Sequence, residues 1–202
     1  MRRVATTIFL VRHAEHELLG RVLCGRMPGV SLGDAGQQQA LRLGRRLQQK
    51  GLAALYTSPL ARARETAAVV GQQCGLAADI ATEFNEIDFG RWTGASFDRL
   101  DPDPIWQRWN AERSSVRPPD GESMAEAQAR AVAGVRRIEA RHPKASVAIV
   151  SHADVIKSVL AWCLSLSMDF HARFEIGPAS VSAMAMWGTG AKVLWMNEAV
   201  TS

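Results

Sequence analysis

The chain has 202 residues, of which 47% are hydrophobic and 22% charged, enough apolar material for one buried core and too little compositional bias for disorder. Its formal charge of +4, from 24 Lys and Arg against 20 Asp and Glu, suits an anionic ligand without specifying one. A nucleic-acid binder would interleave its basic face with aromatics; the clusters Arg42, Arg45, Arg46 and Arg136, Arg137, Arg141 lack them and read as solvated helix faces.

Cys24, Cys74 and Cys163 are odd in number, widely spaced and free of any CxxC pattern, which argues against a disulfide framework or a zinc knuckle and fits a reducing cytosol. The apolar stretch 8–11 is too short for the core of a signal peptide and runs directly into charge. No segment approaches the roughly 18 apolar residues of a membrane span. The expectation is a cytoplasmic protein, with residues 1–202 forming one domain.

Residues 6–11 are apolar and rich in β-branched side chains, which predicts a buried strand delivering Arg12 and His13 at its carboxyl end. The first helix opens near Asp34 and stops at Gly51, with Ala40, Leu43 and Leu47 on one face. A second strand, 54–57, leads into Ser58-Pro59. Serine can cap free N–H groups and proline suits the first helical position, so a helix is predicted from there to about Gly75. A longer helix spans 123–141, where Met124, Ala131, Val135 and Ile138 keep a helical period and His142-Pro143 ends it. A third strand, 147–150, leads into Ser151-His152 and is followed by an apolar helix over 154–164. Strands 181–187 and 192–196 flank the turn Gly188-Thr189-Gly190. Alternation of this kind predicts a three-layer α/β/α sandwich whose central sheet is mostly parallel, with an antiparallel edge strand from the final hairpin. Sites in such sheets lie at the carboxyl ends of the strands, where Arg12, His13, Ser58 and His152 are all expected.

Phosphoryl transfer from an ester needs a nucleophile, cations around the transferring oxygens and a proton donor for the leaving alkoxide. A strand-end His preceded by Arg supplies an imidazole beside a guanidinium that can fork onto two phosphate oxygens. Four stretches in order then match a known pattern. Leu10-Val11-Arg12-His13-Ala14-Glu15 resembles the signature of the histidine phosphatase superfamily. Ser58-Pro59-Leu60-Ala61-Arg62-Ala63-Arg64-Glu65-Thr66-Ala67 resembles its second motif. Asn85-Glu86-Ile87-Asp88-Phe89-Gly90-Arg91-Trp92-Thr93-Gly94 resembles its acid-bearing loop, and Val150-Ser151-His152-Ala153 its second histidine motif. Gly121-Glu122-Ser123 resembles a further segment, so the resemblance covers nearly the whole chain.

The resemblance implies a metal-independent phosphomonoesterase without cofactor, acting on a small phosphorylated metabolite. His13 is then the phosphorylated nucleophile, Arg12, Arg62 and His152 complete the phosphate pocket, and Glu86 donates a proton to the leaving group. Ser58 and Ala153 are candidate substrate-binding residues of the same motifs. The positive neighbours would favour the neutral, nucleophilic form of His13. A phosphoglycerate mutase-type transfer, a phosphoprotein phosphatase and a non-catalytic phosphate-binding protein are the alternatives, and the substrate and oligomeric state stay open.

Some residues depart from the pattern. Ala14 stands where the family usually has Gly, so its backbone must accept a methyl group. Leu18-Leu19 replaces an Asn that holds phosphate in many relatives, and Gly25-Arg26 replaces a commoner Gly-Trp. Arg21 and Arg26 are expected either to bind an acidic substrate or to be solvated. The short segment 97–119 favours hydrolysis over the mutase reaction; its Trp106 and Trp109 either roof the pocket or pack the core. Arg64 and Glu65 read as a structural ion pair, and His16, His142 and His171 as surface residues or a layer behind the site. No third ligand accompanies His13 and His16 at a spacing suited to zinc, so no metal is expected.

Overall fold

The computed structural model describes residues 5–199. One six-stranded sheet has the order β3-β2-β4-β1-β5-β6, built from β1 (Thr6–Arg12), β2 (Leu52–Thr57), β3 (Ala78–Ile80), β4 (Ser146–Ser151), β5 (Val181–Trp187) and β6 (Gly190–Glu198). The first four strands run parallel; β5 pairs antiparallel with β1, and β6 antiparallel with β5.

Strand residues alternate between two cores, which is what a sheet covered on both faces requires. Ile8 and Leu10 join the cluster formed with α5 (Met124–Arg141) and α6 (Ala153–Leu164). Phe9 and Val11 join the other, with Ala40, Leu43 and Leu47 of α1 (Asp34–Gln48) and Ala63, Ala67 and Val70 of α2 (Ala61–Cys74). β4 divides in the same way, Val147 and Ile149 against Ala148 and Val150. The predicted α/β architecture is therefore the observed one, with the final hairpin, β5 and β6, as its antiparallel edge.

Two local expectations need correction. The helix after β2 begins at Ala61, with Leu60 at its cap position and no side-chain cap, because Ser58 is fully buried and turns its hydroxyl toward His152 instead. Strand β3, three residues long and half-exposed at the sheet edge, has no periodicity to reveal it in sequence. By contrast, Ser123 caps α5 through a reciprocal pair with Glu126, and Gly75 ends α2 in the left-handed conformation.

The segment 97–119 forms two short helices, α3 (Phe97–Leu100) and α4 (Pro104–Ala111). Trp109 is fully buried and Trp106 nearly so; they stack with ring centroids 5.5 Å apart and meet Trp92 edge-on. Both indoles are core.

The loop after β1 is held against α1 at close range. Gly36 faces the Glu15 backbone so tightly that an added Cβ would sit 2.0 Å from the Glu15 carbonyl oxygen, and Gln39 exchanges hydrogen bonds with the Glu15 amide and carboxylate. Backbone cannot yield as a flexible side chain does, so Gly36→Ala is expected to lower the melting temperature by roughly 2–10 °C. Calorimetry checks it; an unchanged melting temperature would show that helix and loop are not rigidly opposed.

Candidate active site

Three neighbouring parallel strands end at one place, and the ladder continues past them. The His13 amide donates to the Ser151 carbonyl at 2.9 Å and the Ser58 amide to the Val150 carbonyl at 2.9 Å. His13, Ser58 and His152 are thus fixed side by side by backbone pairing of β1, β2 and β4. Two further bonds hold the first turn after β1: Ala14 N–H donates to Thr66 Oγ at 3.0 Å, and Ala179 N–H to the His13 carbonyl at 3.2 Å. Ala14 keeps an ordinary backbone conformation and buries its methyl group in the core, so its departure from Gly is accommodated without strain.

The His13 ring is 3% exposed, and its Nδ1 lies 2.8 Å from the Ala14 carbonyl. A carbonyl only accepts, so Nδ1 carries the proton and Nε2 keeps its lone pair. Arg62 Nε donates to that Nε2 at 3.2 Å. The same guanidinium donates through Nη2 to the Gly25 carbonyl at 2.7 Å and faces His152 Nδ1 at 3.3 Å. His152, fully buried, then carries its proton on Nε2 and donates to Ser58 Oγ at 2.7 Å. The two imidazoles sit 5.1 Å apart between ring centroids. Arg12 donates to the Ile176 carbonyl at 2.6 Å. Arg12 Nε and Arg62 Nη1 are buried without a protein partner, donors that suit the oxygens of a tetrahedral anion.

Burial, then the charges of Arg62 and Arg12, hold His13 well below the usual histidine pKa. Burial, then Arg62, does the same for His152. Both rings are neutral near pH 7. Glu86 is displaced the other way. Its carboxyl, 13% exposed, is pushed up to about 7 by burial first and by the negative charge of Asp154 second, against the pull of Arg62, the Ile87 amide and Arg12. Glu86 Oε1 accepts from Ile87 N–H at 2.9 Å, and Oε2 lies 3.7 Å from His152 Nδ1.

The acid-bearing loop is braced from below. Arg130 of α5 donates to the carbonyls of Glu83 and Asn85 at 2.7 Å and of Glu86 at 3.2 Å, while forming a two-pronged pair with Glu122. Nothing in the Glu86 motif announced Arg130, because its helical period places it without indicating what it meets.

The structure brings His13, Arg12, Arg62, Ser58, His152 and Glu86 into one cup, with Ala153 opening α6 beside it at a helix N-terminus. Arg26 donates to the Glu86 carbonyl at 2.8 Å and pairs with Glu122 at 3.1 Å and Asp88 at 3.4 Å, which ties it to the acid-bearing loop. Arg21 is exposed on the preceding turn and donates to the Glu17 carbonyl, outside the cup's bonding network. Glu65 accepts from the Leu32 amide at 2.8 Å in place of the expected pairing with Arg64, which is exposed. His16 and His171 are buried, not surface residues. His16 lies against His13, with ring centroids 5.5 Å apart. Among the described residues, no group of three or more His, Cys, Asp or Glu is arranged to hold a metal ion. No helix there is long and apolar enough to cross a membrane.

Known proteins resemble this chain in fold or in sequence. A structure of the Bacillus stearothermophilus protein YhfR is 30% identical and superposes with a TM-score of 0.90, over 96% of this chain and 98% of that one. A mycobacterial glucosyl-3-phosphoglycerate phosphatase, at 23% identity, superposes with a TM-score of 0.87 over 96% and 99% of the two chains. In sequence, phosphoserine phosphatase 1 of Hydrogenobacter thermophilus is 29% identical, over 89% of this chain and 86% of its own. A bifunctional protein of Mycobacterium tuberculosis is 30% identical over 94% of this chain, which spans only 53% of that protein's length. The histidine phosphatase superfamily (branch 1) model matches residues 8–199, and the chain belongs to that family.

Proposed function

We propose that this protein is a metal-independent phosphomonoesterase that hydrolyses a small phosphorylated metabolite through a phosphohistidine on His13. The observation that carries the reading is His13 Nδ1 at 2.8 Å from the Ala14 carbonyl, which assigns the proton to Nδ1 and leaves Nε2 a lone pair beside Arg62. Support for a small substrate comes from relatives such as the phosphoserine phosphatase.

In the first half-reaction, His13 Nε2 attacks phosphorus, a P–N bond forms and the P–O ester bond breaks. Glu86 passes its proton to the departing alkoxide oxygen. Arg12 and Arg62 meet the equatorial oxygens as charge builds on them, the Arg62 Nε–H passing from His13 Nε2 to the anion, while His152 holds the Arg62 guanidinium in place. In the second half-reaction, water attacks phosphorus, its proton goes to the Glu86 carboxylate, the P–N bond breaks and phosphate leaves. A carboxyl with a pKa of about 7 serves both halves, because acid and base forms are both well populated near neutrality. Hydrolysis is favoured over a mutase reaction because 97–119 is spent on core packing of Trp106 and Trp109, not on a cover for a doubly phosphorylated intermediate. The whole chain, residues 1–202, is read as one such catalytic domain.

With p-nitrophenyl phosphate and excess chelator, the wild type is expected to keep full activity and His13→Ala to be inert; strong inhibition by chelator removes the metal-free reading. A second test separates the acid. Glu86→Gln is expected to slow alkyl phosphates by about 10²–10⁴ and p-nitrophenyl phosphate much less, since nitrophenolate leaves without a proton. Equal losses on both substrates would falsify the proton-donor role.

The pH dependence follows from the raised pKa of Glu86. The competent acid is the protonated form, present below about 7 and lost as pH rises through that value. Alkyl phosphate hydrolysis is therefore expected to fall on the alkaline side of pH 7, and that limb is expected to vanish in Glu86→Gln. A limb that persists unchanged in the variant assigns it to another group.

A further inference from the structure

We propose that His16 is a third imidazole of the phosphate cup, donating a hydrogen bond to the phosphoryl group bound at His13. The inference rests on the phosphomonoesterase reading and adds a binding residue to it. His16 is 5% exposed, yet its Nδ1 is buried with no hydrogen-bond partner. A buried polar nitrogen left unmade costs about 1–3 kcal/mol, so a fold that keeps it points to a partner that arrives with the ligand.

Position narrows what that partner is. The ring centroid lies 5.5 Å from that of His13, and the two rings are inclined by only 32°. Arg62, which meets His13 Nε2, also acts on His16, so an anion held by that guanidinium has the His16 ring as a neighbour. The charges that act on His16 are those of Arg62 and Arg12, from α2 and from the end of β1, and they reinforce burial in holding its pKa down to about 4. The ring is therefore neutral near pH 7, with one N–H to give and no charge to desolvate. A neutral donor among guanidiniums suits an anion that only accepts.

The local chain explains how the ring is held there. The His16 carbonyl accepts from Leu19 N–H at 3.0 Å at the start of a turn, and the preceding residue, Glu15, is fastened to α1 through Gln39. Leu18 and Leu19, which follow, bring no polar side chain, and His16 is the imidazole of this segment.

Sulfate tests the idea directly, since it is a tetrahedral dianion that does not titrate near neutral pH. Its dissociation constant is measured by calorimetry, and as competitive inhibition of p-nitrophenyl phosphate hydrolysis, for the full chain and for His16→Leu and His16→Asn. His16→Leu is expected to bind sulfate about tenfold or more weakly at an unchanged or raised melting temperature, and His16→Asn, which keeps a donor near Nδ1, to recover most of that loss. Where His16→Leu does not fold, His16→Met removes the ring nitrogens in a side chain that adapts its shape. Wild-type affinity in the folded non-donor variant overturns the proposal while leaving the phosphatase reading intact. A wild type that binds no sulfate and hydrolyses no ester overturns both.

Discussion

A buried guanidinium, Arg62, and a partly buried one, Arg12, beside two neutral imidazoles, with no carboxylate closing an ion pair on them among the described residues, form the constraint on which the rest of the structure depends. Taking a cation out of water is expensive unless hydrogen bonds and an opposite charge restore what hydration supplied. Here the hydrogen bonds come from main-chain carbonyls: Gly25 for Arg62 and Ile176 for Arg12. Gly25 reaches that position with φ +47°, and a Cβ there would lie 3.0 Å from the Phe89 ring. The loops following β1 and preceding β5 are shaped by the need to present carbonyl oxygens to arginines, and the remaining donors stay in place for an anion.

The same field acts on Glu86, and its outcome is a balance that could have gone the other way. Arg62 and Arg12 draw its pKa down, as cations beside a carboxyl always do. Burial and the charge of Asp154 outweigh them because the arginines that brace the loop, Arg26 and Arg130, reach its backbone carbonyl and not its carboxylate. Glu122 and Asp88 take up part of the positive charge of those braces. Anchoring and electrostatics are thus separated: the loop is pinned by cations whose charge is spent elsewhere, so the carboxyl can hold its proton near neutrality.

Much of this was legible in the sequence, and the reason is physical. A strand buried on both faces must be continuously apolar, so polar residues at its carboxyl end stand out, as Arg12-His13 and Ser151-His152 do. Helices with a strong apolar stripe, such as 34–48 and 124–141, announce themselves by period. What failed to show depends on partners distant in sequence. Ser58 looked like a helix cap because that role is local, whereas beside a long 3.4 Å bond from Leu60 N–H its short hydrogen bond spans 94 residues to His152. Arg26 looked solvated or substrate-facing because its carboxylate partners lie 62 and 96 residues away. His16 carried no signal beyond its distance from His13, since a side chain four positions past a strand can point anywhere until the following turn is fixed.

The aromatic core and the chemistry are joined through Arg113. Its guanidinium lies 3.7 Å over the Trp109 ring, donates to Asn110 Oδ1 at 3.1 Å and pairs with Asp154 at 3.0 Å. Burial works against the ionised form of Asp154, yet Arg113 and His171 hold its carboxyl below the usual range, so it stays charged and lifts Glu86. Trp109 belongs to α4, and its seat among Phe89, Trp92 and Trp106 fixes where Arg113 can reach. The helix that reads as mere core filling therefore sets the position of the cation that keeps Asp154 ionised, and through Asp154 the protonation of the acid.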